Sequence, residues 1–391
     1  LGQPATAETA TTARLLNNAG ASRLGRRIVG AKLIIVGGFL GSGKTTLLWE
    51  AAQRLSAQGY SVGLITNDQA PDLVDTALLS RSRLGVREVA GSCFCCNFDG
   101  LAAAVRSLIK DKADIIIAEP VGSCTDLAAT ILRPMKHKHP KLELAPLTVL
   151  AAPERVREVL SQADSLMHAS ALYILRLQME EADCILLNKI DTLGAGERLE
   201  MSGLLRGAFR ESTVSEISAR SGEGVDAWLA FILGSGEAGM HIVDVDYDRY
   251  AEGEAVLGWL NAVIDLQSRQ SFSEFTKPTL ELLEHLHNAL RQRNAEIGHL
   301  KAMLESGAEA RDASITRLGG SITGRDHSPL AATTARLILN IRAQTPPAVL
   351  EALTREALDR LSDETMVASI RTLRCHMPGR PQPTYRFTQP V

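Results

Sequence analysis

The sequence predicts an α/β domain built on a mostly parallel sheet, followed by a smaller α+β domain. Three observations carry that expectation. Short, continuously apolar runs ("KLIIVGGFL", "SVGLIT", "ADIIIAEP", "PLTVLAAP" and "DCILLNKID") alternate with longer helical patterns from residue 32 to about 232. Runs that are apolar throughout, rather than at every second position, belong to strands covered by helices on both faces, which is the setting of a parallel sheet. A Gly-rich stretch, "FILGSGEAG" at 231–239, closes this pattern. Beyond it the order becomes strand, helix, strand, strand, helix, strand, the βαββαβ order of a ferredoxin-like unit.

The elements justify this division into residues 31–235 and 240–391. Residues 1–30, Ala/Thr/Asn-rich with four arginines, read as a flexible arm and lack the apolar core of a signal peptide. In the second domain "AVLGWLNAVIDL" reads as a strand. Residues 273–306 read as one long helix, because Leu283, Leu286, Leu290, Ile297, Leu300 and Leu304 recur at three- and four-residue spacing. "ASITRL" and "ARLILNIRA" then read as strands, "PAVLEALTREALDRLS" as a helix opened by two prolines, and "VASIRTLRC" as the last strand. At 391 residues with 45% hydrophobic and 22% charged, the chain is long enough for two or three ordinary cores. A net charge of -3 argues against a chain whose field draws it to nucleic acid or an anionic membrane. No run approaches the roughly 20 apolar residues of a membrane span. A cytoplasmic location is expected.

The first chemical motif is "GFLGSGKTT", residues 38–46, directly after a buried strand and before a helix, which is the context of a P-loop. Gly38, Gly41 and Gly43, with Ser42 and Thr46, let backbone N–H groups turn inward around phosphate oxygens. Lys44 brings a charge to the terminal phosphates, and Thr45 offers its hydroxyl to Mg²⁺. The second motif is "LLNKID", with Asn188, Lys189 and Asp191 following another buried strand. A carboxylate there accepts two hydrogen bonds from the guanine edge, which adenine does not supply. "ISARSGEGVDAWL" supports it, since Ser218 and Ala219 fit the short loop that closes over guanine. The nucleotide is therefore expected to be GTP, within a P-loop NTPase fold. Two acids could complete the Mg²⁺ and water arrangement. Glu119 ends the "IIIAEPVG" strand with Gly122 three residues on, and Asp68 ends "LITND" beside Asn67. For Asp68 a helix or turn cap is the alternative role.

Three of the six cysteines fall within four positions of "GSCFCCNFDG", residues 91–100, whereas Cys124, Cys184 and Cys375 stand singly. That is not a disulfide framework, and in a reducing compartment a local cluster points to metal or redox chemistry. Thiolates suit soft or borderline ions, with Zn²⁺, Co²⁺ or Cu⁺ indicated by ligand type. Three protein ligands leave a position open for handover. The alternatives are a structural zinc site completed by a distant His or Cys124, or simply buried thiols.

With these motifs in this order, residues 33 to about 232 resemble the CobW/HypB/UreG family of P-loop GTPases, on "GGFLGSGKTTLL", "TND", "CFCC", "EPVG", "NKID" and "SARSGEGVD". Two departures stand out: Ser92 where a glycine is common, and "TVLAAPERV" without the aspartate often found after that strand. Members of the family act as metallochaperones or metalloenzyme activators. The resemblance implies Mg-GTP at Lys44, Thr45 and Glu119, guanine at Asn188 and Asp191, and a transition metal, Zn²⁺ or Co²⁺, at Cys93, Cys95 and Cys96. It further implies GTP hydrolysis, with Lys44, Glu119 and Asp68 as the catalytic groups. The partner it implies is a client metalloenzyme or cofactor-binding protein, with no nucleic acid or membrane partner, and a homodimer left open.

The leading expectation is thus a GTP-hydrolysing metallochaperone whose second domain reads the client. The alternative is a nucleotide-dependent metal sensor or scaffold with structural zinc and negligible turnover. An ATP-using small-molecule kinase is disfavoured by Asp191. Weaker signals remain. His137 and His139 of "HKHP" read as a solvated turn, and His285, His287 and His299 fall on the long C-terminal helix, too far apart to share one ion. "MPGRPQPTYRF" reads as a Pro-rich edge segment, with a partner-docking tail as the other reading.

Overall fold

The computed structural model describes residues 30–68, 73–81, 84–161 and 165–389. The arm expected at 1–30 lies outside the described residues, apart from Gly30. In chain order the first part runs β1 (Lys32–Gly38), α1 (Lys44–Ala57), β2 (Val62–Asp68), α2 (Val74–Ser80), β3 (Gly85–Ala90), α3 (Phe98–Lys110) and β4 (Ile115–Glu119). A π-helical turn, Ala128–Leu132, leads into α4 (Arg133–Lys138), then β5 (Glu143–Leu144), β6 (Thr148–Ala151), α5 (Pro153–Ser161), α6 (Ala169–Glu180) and β7 (Cys184–Leu187). A 3₁₀ turn, Ile190–Thr192, precedes α7 (Ala195–Ala208), β8 (Thr213–Glu216) and α8 (Val225–Gly234).

The apolar runs become the middle of one sheet, in the order β3-β2-β4-β1-β6-β7-β8, with β5 also on β1. All its pairings are parallel. β1, β2, β4, β6 and β7 are buried along their whole length, because helices cover both faces. β3 and β8 lie at the two edges and are partly exposed, so "GVREVA" and "TVSE" carry no continuous apolar run to announce them. The carboxyl ends of β1, β2, β4 and β7 open on one side of the sheet, where ligands of open parallel sheets sit.

The second part opens with α9 (Tyr247–Ala255), which returns to pack on α6: Gly253 lies so close that a Cβ there would stand 2.4 Å from the Ser170 carbonyl oxygen. Then follow β9 (Gly258–Ser268), β10 (Ser273–Glu274), α10 (Thr276–Arg291), β11 (Ile297–Ser306), β12 (Glu309–Ile315), β13 (Ala331–Ala332), β14 (Thr334–Ala343), α11 (Pro347–Leu361) and β15 (Met366–His376). These build an antiparallel sheet in the order β12-β11-β14-β9-β15. Setting aside the edge strand β12, the remaining four keep the ferredoxin-like order, with α10 and α11 packed through Leu282, Leu283, Leu286, Leu350 and Leu358 on the sheet.

The single helix expected over 273–306 is corrected. It stops at Arg291, Asn294 takes a left-handed φ of 50°, and Ile297, His299, Leu300 and Leu304 lie on strand β11. β11 is buried on both faces, by the helices on one side and by α2 and the P-loop segment on the other, so Val74 packs on Met303 and Ile338. Burial on both faces removes the two-residue alternation, and the leucine spacing then imitates a helix. The strand expected at "ASITRL" is β12, an addition at the sheet edge, and β11 takes the second-strand place.

Polar contacts bind the antiparallel sheet to the parallel one. Arg155 of α5, 3% exposed, pairs with Glu158 at 2.8 Å and with Glu296, just before β11, at 2.9 Å. The backbone N–H of Val74, at the start of α2, donates to Asn340 Oδ1 at 2.7 Å. Among the described residues no helix is long and apolar enough to cross a membrane.

Candidate functional site

The P-loop runs from the end of β1 to the start of α1 and is shaped by glycines at positive φ: Gly38 at 129°, Gly41 at 76° and Gly43 at 100°. At Gly43 a Cβ would stand 2.4 Å from Asn188 Nδ2, so both conformation and space demand glycine. Lys44 is buried, and its ammonium donates to the Gly38 and Phe39 carbonyls at 2.8 and 3.2 Å and lies 3.8 Å from Glu119 Oε1. Burial lowers its pKa, opposed by Glu119. The Thr45 hydroxyl donates to the Glu119 carboxylate at 3.0 Å. Burial, and next the Asp75 charge, push the Glu119 carboxyl up to about 7. A Cβ on Gly122 would come within 3.0 Å of Lys44 Nζ. Thus Lys44, Thr45, Glu119 and Gly122 meet at one point. Among the described residues, Ser42 Oγ, buried there, has no hydrogen-bond partner. An orphaned hydroxyl, inward-turned backbone and a Lys held on main-chain carbonyls fit a phosphate ligand, and the Thr45–Glu119 oxygen pair fits Mg²⁺.

At the other end, Asn188 is tied on both sides. Its Nδ2 donates to the Ser42 carbonyl at 2.7 Å, and its Oδ1 accepts the Ala219 N–H at 2.9 Å. Asp191 accepts from the Ser218 hydroxyl at 2.7 Å. Lys189, at a left-handed φ of 63°, pairs with Glu154 at 3.1 Å. A cavity of about 460 Å³ is bordered by Thr46, Asn188, Lys189, Asp191 and Ala219 and continues past Gly43. The cleft expected to hold nucleotide consists of two cavities that share Gly41, Gly43 and Thr46, one lined by Lys44 and Thr45 at the expected phosphate end and the other by Asn188, Lys189, Asp191 and Ala219 at the expected base end, while Gly38, Ser42 and Ser218 line neither.

The far wall of this cleft was missed. The antiparallel sheet closes it, with Trp259 of β9, His299 and Lys301 of β11 and Arg342 of β14 lining the phosphate-end cavity of about 130 Å³. A Cβ on Gly41 would stand 2.7 Å from Thr316 and 3.0 Å from the Gly298 carbonyl, so the two parts touch at the P-loop itself. Asp68 pairs with the buried Arg342 at 2.7 Å. Asp75 of α2 receives Lys301 Nζ on both carboxylate oxygens at 2.7 Å and sits within hydrogen-bond reach of the Thr45 hydroxyl. Burial, then Lys301 and Arg342, holds the His299 pKa well below its ordinary value, so that imidazole is neutral. The signal in the sequence was a cation inside an apolar run, Lys301 in "IGHLKAML" and Arg342 in "LILNIRA".

The thiols lie on the loop between β3 and α3. Cys93 and Cys95 Sγ are 3.0 Å apart, Cys95 and Cys96 Sγ 3.8 Å, and all three sulfurs lie within 4.8 Å of one another. Such a donor set fits a thiophilic ion. Cys93 and Cys95 are buried and Cys96 half-buried. Cys124, two residues beyond Gly122, stands beside Cys93 and Cys95. Hydrogen bonds from the Cys124, Cys95 and Cys96 thiols hold the Cys93 pKa well below its ordinary value, while the Cys96 thiol is pushed up to about 11, chiefly by Cys93. A thiol whose pKa is lowered in this way gives up its proton to a cation more readily. Asn67 anchors this loop: its Nδ2 donates to the Val89 and Ser92 carbonyls at 2.7 and 2.8 Å, and its Oδ1 accepts the Phe94 N–H at 2.8 Å.

The "MPGRPQPTYRF" segment lies over these thiols. The Gln382 N–H donates to Cys96 Sγ at 3.1 Å, and the Thr384 N–H to the Cys95 carbonyl at 2.8 Å. Tyr385 stacks edge-on with Phe98 at 5.2 Å, and Arg386 pairs with Asp126 at 2.7 Å. His137 packs edge-on against Phe387, and His139 ends α4. His285 and His287 are on α10, whereas His299 is on β11 in the nucleotide cleft, which corrects its placement on the long helix.

A P-loop followed by a second phosphate-end acid and a base-end Asn-Lys-x-Asp, all on the carboxyl ends of a parallel sheet, defines a nucleotide-binding α/β protein. Residues 32–213 match the CobW/HypB/UreG nucleotide-binding domain. No curated protein matches the chain. Among solved structures the chain is similar to the hydrogenase maturation factor HypB from Archaeoglobus fulgidus, at 16% identity over 59% of this chain and 98% of that one, with a TM-score of 0.38. HypB from Helicobacter pylori, solved in complex with nickel, matches at 16% identity over 59% and 94% of the two chains with a TM-score of 0.38. The Zn(II)-bound YjiA GTPase from E. coli matches at 16% identity over 85% and 99%, with a TM-score of 0.32.

Proposed function

We propose that the protein is a GTP-binding and GTP-hydrolysing metallochaperone that couples nucleotide state to a transition metal held at Cys93, Cys95 and Cys96. One observation carries the reading: the two segments that reach the phosphate end of the cleft also reach the thiols. β2 ends in Asp68 at the cleft and Asn67 on the thiol loop, and the Glu119–Gly122 segment runs on to Cys124 beside Cys93. Displacement of either segment by a γ-phosphate is thereby passed to the sulfurs. In this reading Gly38, Gly41, Ser42, Gly43, Lys44, Thr45 and Thr46 hold the phosphates, and Thr45 and Glu119 hold Mg²⁺. Asn188 positions the loop bearing Ser218 and Ala219, Lys189 flanks the base, and Asp191 reads guanine. Lys44 and Glu119 serve hydrolysis, Lys44 by stabilising charge on the transferring phosphoryl group. Asp68, tied to Arg342, serves by positioning. The part beyond residue 240 reads the client metalloprotein.

The experiment is a titration of Zn²⁺ or Co²⁺ into protein loaded with a non-hydrolysable GTP analogue and, separately, with GDP. Linkage requires each ligand to change the other's affinity by one factor, here about 5- to 150-fold for a coupling of about 1–3 kcal/mol. Equal metal affinities in the two states refute the coupling. Cys93, Cys95 and Cys96 to Ser removes the difference and spares guanine binding, because Asp191 lies at another strand end. A second reading, a metal sensor with structural zinc and negligible turnover, is favoured by the burial of Cys93 and Cys95 with Cys124 as a neighbouring fourth thiol. GTP turnover with and without added metal separates the two. Turnover that falls by orders of magnitude in Lys44→Ala and Glu119→Gln supports the first.

A further inference from the structure

The nucleotide cleft carries more positive charge than its P-loop supplies. Lys44 stands near Glu119, Lys301 is bound by Asp75, and Arg342 by Asp68, so three cations meet three acids pairwise around one cavity. Two of the three cations come from the antiparallel sheet, more than 200 residues away in sequence from their partners. They are held differently. Arg342 also donates through Nη1 to the Leu260 and Ile341 carbonyls and to Asn261 Oδ1 at 3.1, 2.9 and 2.8 Å, and its guanidinium lies 4.2 Å over the Trp259 ring, so it is fixed in place. Among the described residues, Lys301 Nζ makes two hydrogen bonds, both to Asp75, at 2.7 Å each. Its side chain is 18% exposed, and it faces the cavity shared with Lys44, Thr45, Glu119 and Gly122. Its partner is in turn beside the Thr45 hydroxyl, where a divalent cation on Thr45 and Glu119 would draw the Asp75 carboxylate.

We propose that Lys301 is a γ-phosphate-binding residue supplied by the antiparallel sheet, released from Asp75 when Mg²⁺ and a nucleoside triphosphate enter. The inference rests on the nucleotide reading above and adds to it the group that tells triphosphate from diphosphate. A β- and α-phosphate lie over the P-loop, within the reach of Lys44 and the backbone N–H groups. The terminal phosphate projects towards β11. A flexible ammonium that donates two exchangeable hydrogen bonds suits a ligand that comes and goes, whereas the planar guanidinium of Arg342, held by four hydrogen bonds through Nη1 and Nη2, is fixed and orients Asp68. Because α2 is tied to the same sheet through Asn340 and the Val74–Met303–Ile338 contact, transfer of Lys301 from Asp75 to phosphate loosens one of the contacts that hold α2.

The test measures the affinities of fluorescent GDP and of a fluorescent non-hydrolysable GTP analogue, with Mg²⁺, for the full chain and for Lys301→Met, Lys301→Gln and Lys301→Arg. Loss of one charged hydrogen-bonding partner of the γ-phosphate lowers triphosphate affinity about 10- to 100-fold in Lys301→Met, with GDP affinity kept within about twofold. Lys301→Arg restores most of the preference. Lys301→Gln keeps a donor to Asp75, preserves the contact with α2, and loses the preference as Lys301→Met does. A triphosphate-to-diphosphate affinity ratio equal to that of the unaltered protein in the Met and Gln variants overturns the proposal. So does a parallel loss for both nucleotides, which is the signature of a tie between the two sheets. If the unaltered protein binds neither nucleotide, the nucleotide reading falls first and this proposal with it. If it binds both and only the Lys301 variants behave as unaltered protein, this proposal alone falls.

Discussion

Asn188→Ala tests whether the two ends of the nucleotide cleft are mechanically one piece. Asn188 is 2% exposed, and its amide bridges the Ser42 carbonyl of the P-loop and the Ala219 N–H of the base-end loop at 2.7 and 2.9 Å. Truncation leaves a buried acceptor and a buried donor without partners, each costing about 1–3 kcal/mol, so the parallel-sheet part loses roughly 2–6 kcal/mol where water does not replace the amide. A loss of that size lowers the melting temperature by roughly 4–24 °C for a part of this length. Urea unfolding followed by the fluorescence of Trp228, which is buried against β6 through a 3.1 Å hydrogen bond to Thr148, reads the same quantity. Asn188→Asp keeps the acceptor for Ala219 but sets a carboxylate against the Ser42 carbonyl, so it is no milder. Stability within about 0.5 kcal/mol of the unaltered protein in both variants, with nucleotide affinity unchanged, would refute the bridge.

Three further outcomes are expected. Asp191→Asn, at a carboxylate that accepts a hydrogen bond from the Ser218 hydroxyl, leaves stability nearly unchanged and shifts preference from GTP towards xanthosine triphosphate; unchanged binding of GTP, or equal binding of ATP, counts against Asp191 as the guanine reader. Glu181 is buried, accepting from Thr125 Oγ1 and the Ala128 N–H, and burial pushes its carboxyl from 4.5 up to about 8. The native state therefore binds this proton more tightly than the unfolded state, so the stability it contributes is full below pH 4.5 and is lost, by up to about 1.4 kcal/mol per pH unit, as pH rises through about 8; Glu181→Gln flattens that slope in melts between pH 5 and 8, and an unaltered slope refutes the assignment. Removing residues 378–391, which takes away the Gln382 and Thr384 bonds to the Cys95–Cys96 segment, increases the rate of Cys96 alkylation several-fold, read by mass spectrometry; an unchanged rate means the tail does not shield the thiol.

How much of this was legible in the sequence follows from what each residue is buried against. The strands β1, β2, β4, β6 and β7 announce themselves because helices cover both faces, so each run is apolar end to end. The P-loop, Glu119, Asn188 and Asp191 are legible for a different reason: each stands at the end of such a run, and an open parallel sheet gathers its strand ends at one edge. The same burial on both faces hides β11, whose leucines take helical spacing once neither face is polar, and partial exposure hides the edge strands β3 and β8.

What no local pattern contains is which distant residues meet. Asp68 with Arg342, Asp75 with Lys301 and Cys96 with Gln382 are separated by 274, 226 and 286 positions. The trace of the first two pairs in the sequence is a cation standing where an apolar strand should not hold one, as Lys301 does in "IGHLKAML". A buried cation is costly without a carboxylate or phosphate beside it, so such a residue implies a partner even where it does not name it. Here the partners lie on β2, on α2 and beside the P-loop. In the function proposed above, a nucleotide entering this cleft changes the bonding of the antiparallel sheet as directly as it changes the P-loop. The same strand end, Asn67–Asp68, holds the thiol loop through one side chain and that sheet through the next.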